Sequence, residues 1–250
     1  MRITVIGPGR AGTAIHEAAQ AAGIASALTR DATDAVGCDV ALIAVPDDAV
    51  AAVAALIPAG PAVGMLSGSV PLAALGGRPR AFCLHPMQTI QLGGGPQLAG
   101  AGAGISAGDA EGLALAGDLA RALGMRPVEV PETARPLPHI ACVFASNLLL
   151  PALAAAMAVL DEAGLGADRA ALLGPLAHRA VDNALADGAR VRPTGPVARG
   201  DTATLRAHRA ALHDHDAELE ATYVRLSEAL LPLVGAAEAQ RSAAALEGAA

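Results

Sequence analysis

The stretch that decides the fold stands at the start of the chain: Met1-Arg2-Ile3-Thr4-Val5-Ile6-Gly7-Pro8-Gly9-Arg10-Ala11-Gly12. Four β-branched residues, Ile3–Ile6, run into a Gly-x-Gly-x-x-Gly turn, and an alanine-rich helical run follows over Ala11–Ala22. Each glycine has a physical task. Gly7 permits the tight turn, Gly9 lets backbone approach a pyrophosphate, and Gly12 allows the helix to pack closely on the strand. The N–H groups of Gly9, Arg10, Ala11 and Gly12, around the rigid Pro8, lie at a helix start and attract an anion. The same pattern also suits a glycine turn without a ligand. Its setting, a strand before it and a helix after it, favours dinucleotide binding.

The alternation continues outward from that turn. Strands are expected over Ile24–Leu28, Val40–Val45, Ala62–Leu66, Ala81–Leu84, Gly102–Ser106 and Pro127–Val130, and helices over Ala49–Leu56, Val70–Leu75 and Ala110–Leu123. Gln91–Gly104 is glycine-rich and reads as a loop or a weak edge strand. Three prolines within 131–138 interrupt both helix and strand, which predicts a domain boundary there. Beyond it helices are expected over His139–Ala163, Asp168–Ala186, Asp201–Leu212 and Ala217–Val234, with a tail that frays from Ala236. The fold class is therefore α/β: a Rossmann-type, doubly wound parallel sheet over 1–131, then an all-helical unit over 138–250.

Composition removes several functions. The 250 residues carry 17 basic and 24 acidic side chains, a net charge of −7, and every basic residue is arginine. Without lysine there is no Schiff base and no phosphate-loop lysine. With no Trp, one Tyr and two Phe, stacking platforms for bases are missing, and the acidic balance disfavours nucleic acid and anionic membrane. Cys38, Cys83 and Cys142 form no C-x-x-C pair, which fits a reducing cytoplasm. The run Ile140–Leu160 is uncharged and long enough to span a bilayer, but Ser146, Asn147 and Pro151 at its centre favour a buried helix or a homodimer interface.

The chemistry concentrates where strands end. Thr29-Arg30-Asp31 follows the second strand; Arg30 suits a 2′-phosphate, whereas Asp31 and Asp34 are placed to cap the next helix, so NADP is favoured over NAD. Val45-Pro46-Asp47 and Ser67-Gly68 follow the third and fourth strands and should flank the cofactor, although Asp47 also suits a helix N-cap. His85, before Pro86, brings an imidazole to the same edge as a substrate contact or general acid. His139, Val143, Ser146, Asn147 and Leu150 share one helix face, and Pro151 should bend that helix near Asn147. Arg199 is a candidate for binding a substrate carboxylate, with Asp201 capping the helix after it. His208, His213 and His215 do not share a face, so no metal site is expected.

With Gly7-Pro-Gly-Arg-Ala-Gly12, Val45-Pro-Asp47, Leu66-Ser-Gly68, His85-Pro-Met-Gln-Thr89, Ser146-Asn147 and Thr194-Gly-Pro-Val-Ala-Arg-Gly-Asp201 in this order, the chain resembles a family of NADP oxidoreductases. These have an N-terminal Rossmann-like domain and a C-terminal helical domain of unknown function. They are similar in architecture to pyrroline-5-carboxylate reductase, ketopantoate reductase and 6-phosphogluconate dehydrogenase. The resemblance implies an NADPH-dependent reductase acting on a small carbonyl or imine acid, with substrate between the Rossmann and helical domains and a homodimer formed through the latter. Ketopantoate reductases and β-hydroxyacid dehydrogenases use a lysine on the helices that follow; here His139, Ser146 and Asn147 stand in that region. A dinucleotide-responsive binding or scaffold protein without turnover is the alternative.

Overall fold

A computed structural model of the chain describes residues 1–93, 97–186 and 191–247. Seven strands form one sheet: β1 (Arg2–Ile6), β2 (Ala25–Thr29), β3 (Val40–Ile43), β4 (Ala62–Met65), β5 (Phe82–Met87), β6 (Gly102–Ala107) and β7 (Arg126–Glu129), in the order β2-β1-β3-β4-β5-β6-β7. The first five run parallel, while β6 returns antiparallel to β5, with Cys83 opposite Ser106. The doubly wound sheet is thus mostly parallel, with one antiparallel pair between β5 and β6. Among its described residues the 88–101 connection contains no helix to carry the chain across the sheet, so it folds back. The glycine-rich strand consequently lies between β5 and β7 rather than at an edge; residues 94–96 of the ambiguous stretch lie outside the described residues.

Side-chain alternation produces the two-faced core. Ile3, Val5, Val40, Leu42 and Phe82 are buried with α1 (Arg10–Ala21) and α3 (Ala110–Ala122), whereas Ile6, Ala41, Ile43, Val63 and Met65 are buried with α2 (Val50–Leu56). Period-2 patterning thus clothes both faces with helices. The helix expected over Val70–Leu75 is only a 3-10 turn, Leu72–Leu75, because Pro71 supplies no N–H and holds extended backbone at φ −61°, ψ 146°.

Two compact units result, Met1–Asn147 and Leu148–Ala250. The division falls after the proline-rich segment, and α4 (Pro136–Ala145) belongs with the sheet. Side chains of that segment hold it there. Glu132 accepts the Leu72 N–H at 2.8 Å, and the buried Arg135 donates to the Ser67 carbonyl at 2.7 Å. The single helix expected over His139–Ala163 is interrupted at Ser146 (φ −130°, ψ −77°) and resumes as α5 (Leu150–Glu162), with Pro151 in its first turn.

The second unit continues with α6 (Arg169–Ala186), the short α7 (Pro196–Arg199), α8 (Thr202–His215), α9 (Ala217–Glu228) and α10 (Ala236–Glu247). The tail expected to fray is a helix. Ser242, Ala245 and Leu246 are buried, and the Ser242 hydroxyl donates to the Val197 carbonyl at 3.1 Å, so packing anchors it. Arg209 and Glu220 pair at 2.8 Å inside this unit, and His213 Nδ1 lies 2.9 Å from the other Glu220 oxygen.

Candidate functional site

The turn after β1 has the geometry its residues require. Gly7 sits at φ +115°, and a Cβ there would collide with the Ala44 carbonyl; its N–H donates to the Thr29 carbonyl at 2.9 Å. A Cβ on Gly12 would strike the Gly7 carbonyl, whereas the space beside Gly9 is open. Helix α1 has no side chain capping its first N–H groups and no acidic residue in its first turn. Donors at an uncapped helix start, next to open space and at the β1/β3 switch point, fit the pyrophosphate of a dinucleotide.

At the end of β2 the charged groups divide. Asp31 caps the following turn through Thr33, at 2.9 Å to its N–H, and Asp34 accepts the Thr29 hydroxyl at 2.6 Å. Local hydrogen bonding holds the Asp31 carboxyl below its ordinary range, the Thr33 hydroxyl contributing most. Arg30 and Arg10 are exposed and form no ion pair among the described residues.

At the ends of β3 and β4 the backbone turns at Pro46 without a side-chain cap, so the N-cap alternative for Asp47 is not realised. Instead Asp47 accepts the Ser69 hydroxyl at 2.6 Å and joins the two loops, Val45-Pro46-Asp47 and Ser67-Gly68-Ser69. The Ser67 hydroxyl oxygen accepts N–H bonds from Ser69 and Val70 at 3.2 and 3.1 Å.

The two histidines meet. His85 Nδ1 lies 2.9 Å from the Leu66 carbonyl, an acceptor only, so Nδ1 carries the hydrogen and Nε2 is a free acceptor. His139 Nδ1 stands 3.5 Å from that Nε2, with ring centroids 5.3 Å apart and the rings edge to face. Gly68 makes room for the pair, since a Cβ there would come within 2.9 Å of His85 Nε2. Burial, above all, lowers the His85 pKa; His139 and Arg135 act in the same direction, while the Leu66 hydrogen bond and Asp47 oppose it.

Both imidazoles line a cleft of about 390 Å³ with Gln88, Thr89, Ser146 and Asn147. Four of the five residues expected to carry chemistry therefore share one cleft of the first unit. The Ser146 hydroxyl donates to the Cys142 carbonyl at 2.6 Å, as a serine at a helix end often does, and lies 2.9 Å from Asn147 Oδ1. Arg199 belongs to the second unit, where its exposed guanidinium stands 3.8 Å from Asp201. Sequence reasoning missed Arg135, 4% exposed, whose guanidinium bonds the Ser67 carbonyl and reaches Glu132 at 3.3 Å. Its position between two prolines concealed it. Nearby, burial pushes the Cys83 thiol up to about 11, which keeps it protonated and unreactive. Among the described residues no cluster could hold a metal ion.

Sheet order, glycine turn and helical second unit define a Rossmann-type α/β protein with an appended helical unit. The chain belongs to the family of DUF2520, a domain of unknown function, which matches residues 102–230. Among solved structures it is similar to the candidate NADP oxidoreductase BF3122 from Bacteroides fragilis, with a TM-score of 0.76 at 21% identity over 92% of this chain and 97% of that one. A reductive aminase from Aspergillus terreus, solved with NADPH and ethyl-5-oxohexanoate, gives 0.66 at 20% identity over 92% and 93%. Pyrroline carboxylate reductase from Plasmodium falciparum, with NADP bound, gives 0.62 at 11% identity over 99% and 98%. No curated protein matches the chain in sequence.

Proposed function

We propose that the protein is an NADPH-dependent oxidoreductase that reduces a small carbonyl or imine acid. The observation that carries this reading is the coincidence, at the carboxyl edge of one sheet, of a turn fitted to a pyrophosphate and a cleft holding two histidines. Gly7, Pro8, Gly9, Arg10, Ala11 and Gly12 hold the pyrophosphate. Thr29 and Arg30 receive the 2′-phosphate, because both nearby carboxylates are occupied locally. Val45, Pro46, Asp47, Ser67 and Gly68 flank the nicotinamide, whose contribution when bound is hydride. His85 and His139 manage the proton, and Asn147, with Ser146 beside its Oδ1, polarises the acceptor group. The likeness to NADP-binding structures supports the cofactor, and the missing lysine sets this cleft apart from those of lysine-using reductases.

The test is NADPH oxidation with a panel of keto acids and cyclic imines. Turnover that falls on His85→Ala or Asn147→Ala, with cofactor affinity preserved, supports the reading. Cofactor binding without turnover of any panel member would instead make this a dinucleotide-responsive binding protein.

The second unit is proposed to form a homodimer. Helices α5 and α6 contain no buried residue, and Leu150, Leu172, Leu176 and Leu185 are exposed on them. The stretch Glu132–Glu162 is also long and apolar enough, by length and composition, to cross a membrane. Its break at Ser146 and Pro151 favours a second copy as the covering surface. A dimer that resists dilution without detergent supports this, whereas a requirement for detergent would point to membrane.

A further inference from the structure

We propose that His139 is the residue that exchanges a proton with the substrate, and that His85 is a positioning residue which fixes the tautomer of His139 through the bond between their rings. The inference rests on the reductase reading above and narrows the acceptor to one uncharged before reduction, a carbonyl or a neutral imine.

The hydrogen bonds run in one direction. The Leu66 carbonyl can only accept, so it fixes the proton of His85 on Nδ1. Burial, with His139 and Arg135 nearby, keeps that ring neutral, outweighing Asp47 and the Leu66 bond. Its Nε2 can then only accept, and the group beside it is His139 Nδ1 at 3.5 Å. His139 must therefore carry hydrogen on Nδ1, which leaves Nε2 to serve the cleft: a lone pair when the ring is neutral, an N–H when it is protonated. The long separation suits a bond that tightens when a ligand fills the cleft.

The cleft offers no other acid. Among the described residues its lining has no carboxylate, lysine or arginine; burial raises the Cys142 pKa, and the Ser146 hydroxyl is engaged by the Cys142 carbonyl. A carbonyl that gains hydride at carbon moves its π pair onto oxygen, and that oxygen takes the Nε2 proton of His139. The carbonyl is reduced to an alcohol and the reduced nicotinamide dinucleotide is oxidised; neutral His139 then recovers a proton from water in the cleft. A neutral imine takes the same proton on nitrogen. An iminium cation is already activated and needs none, so its reduction does not draw on the His139 proton.

Two measurements divide the outcomes. Nitrogen-15 NMR of the full chain without cofactor should show both neutral rings with hydrogen on Nδ1. His85→Ala should move the hydrogen of neutral His139 to Nε2, and His85→Gln, whose amide oxygen replaces the acceptor, should restore it. A His139 tautomer that is Nε2–H from the start, or indifferent to His85→Ala, overturns the positioning role. With NADPH, His139→Gln should lower kcat for the ketone ethyl levulinate by about 10²–10⁴-fold, while turnover of N-methyl-1-pyrrolinium, which needs no proton, should stay within about threefold. Equal losses on both probes overturn the proton-donor role. Failure of the unaltered enzyme to turn over either probe counts against the reductase reading itself, and the cofactor-free tautomers then decide the positioning role alone.

Discussion

The two units differ most in how they dispose of apolar side chains. The first buries a cluster on each face of its sheet, anchored by Phe82 and Leu42 on one and by Ile43 and Met65 on the other. Among the described residues the second has one small buried cluster, Val197, Leu205, Ala245 and Leu246, and its helix α6 is without a buried residue. A unit that closes its own core can hold side chains to within the tolerances that chemistry needs. A unit that does not is suited to association. The polar groups follow the same division: those of the first unit converge on a cleft, and those of the second hold helices together through Arg209, Glu220 and His213.

The contrast can be broken by substitution. The largest effect should come from Phe82→Ala, fully buried in the sheet unit, at about 3–5 kcal/mol of unfolding free energy by denaturant titration. Gly7→Ala should cost about 1–3 kcal/mol from strained backbone alone, and abolish dinucleotide binding, because its Cβ meets the Ala44 carbonyl. Arg30→Ser should weaken NADPH by roughly tenfold to a hundredfold, the worth of a charge-assisted contact, and leave NADH almost unchanged in calorimetry. Leu176→Ala, on the exposed α6, should change monomer stability by under about 0.5 kcal/mol, while Leu176→Asp should shift the sedimenting species from dimer to monomer. A large monomer destabilisation by Leu176→Ala would erase the contrast between the units.

Acid should loosen the second unit through Glu220. Its carboxyl is held below the ordinary glutamate range, first by the His213 hydrogen bond and then by that of Arg209. A group lowered on folding stabilises above its unfolded pKa, and that contribution fades as pH falls through the folded value. The α8–α9 helices should therefore lose circular-dichroism amplitude below about pH 4, and Glu220→Gln should flatten that dependence.

Much of the first unit was legible because its signals are local. Ile3–Ile6 followed by Gly7-Pro8-Gly9 specifies strand, turn and helix within one stretch, and His85 is located by the end of its strand. The antiparallel return of β6 was not legible, since its direction depends on the 88–101 connection, which has no helix among its described residues, rather than on β6 itself. Arg135 escaped for a related reason: its partner Ser67 is distant in sequence, and nothing in Ala134-Arg135-Pro136 marks a buried guanidinium. The meeting of His85 with His139 required the α4 helix to belong with the sheet, whereas the prolines before it suggested a boundary. The tail beyond Ala236 looked unanchored because alanine carries little patterning, yet small side chains such as Ser242 and Ala245 are what allow α10 to pack closely.

The most direct test of the central claim is a calorimetric titration of the purified full chain with NADPH and, separately, with NADH. Saturable binding of one NADPH per chain is expected, more tightly than NADH, with loss of that preference on Arg30→Ser. Absence of heat and of saturation with either dinucleotide would contradict it.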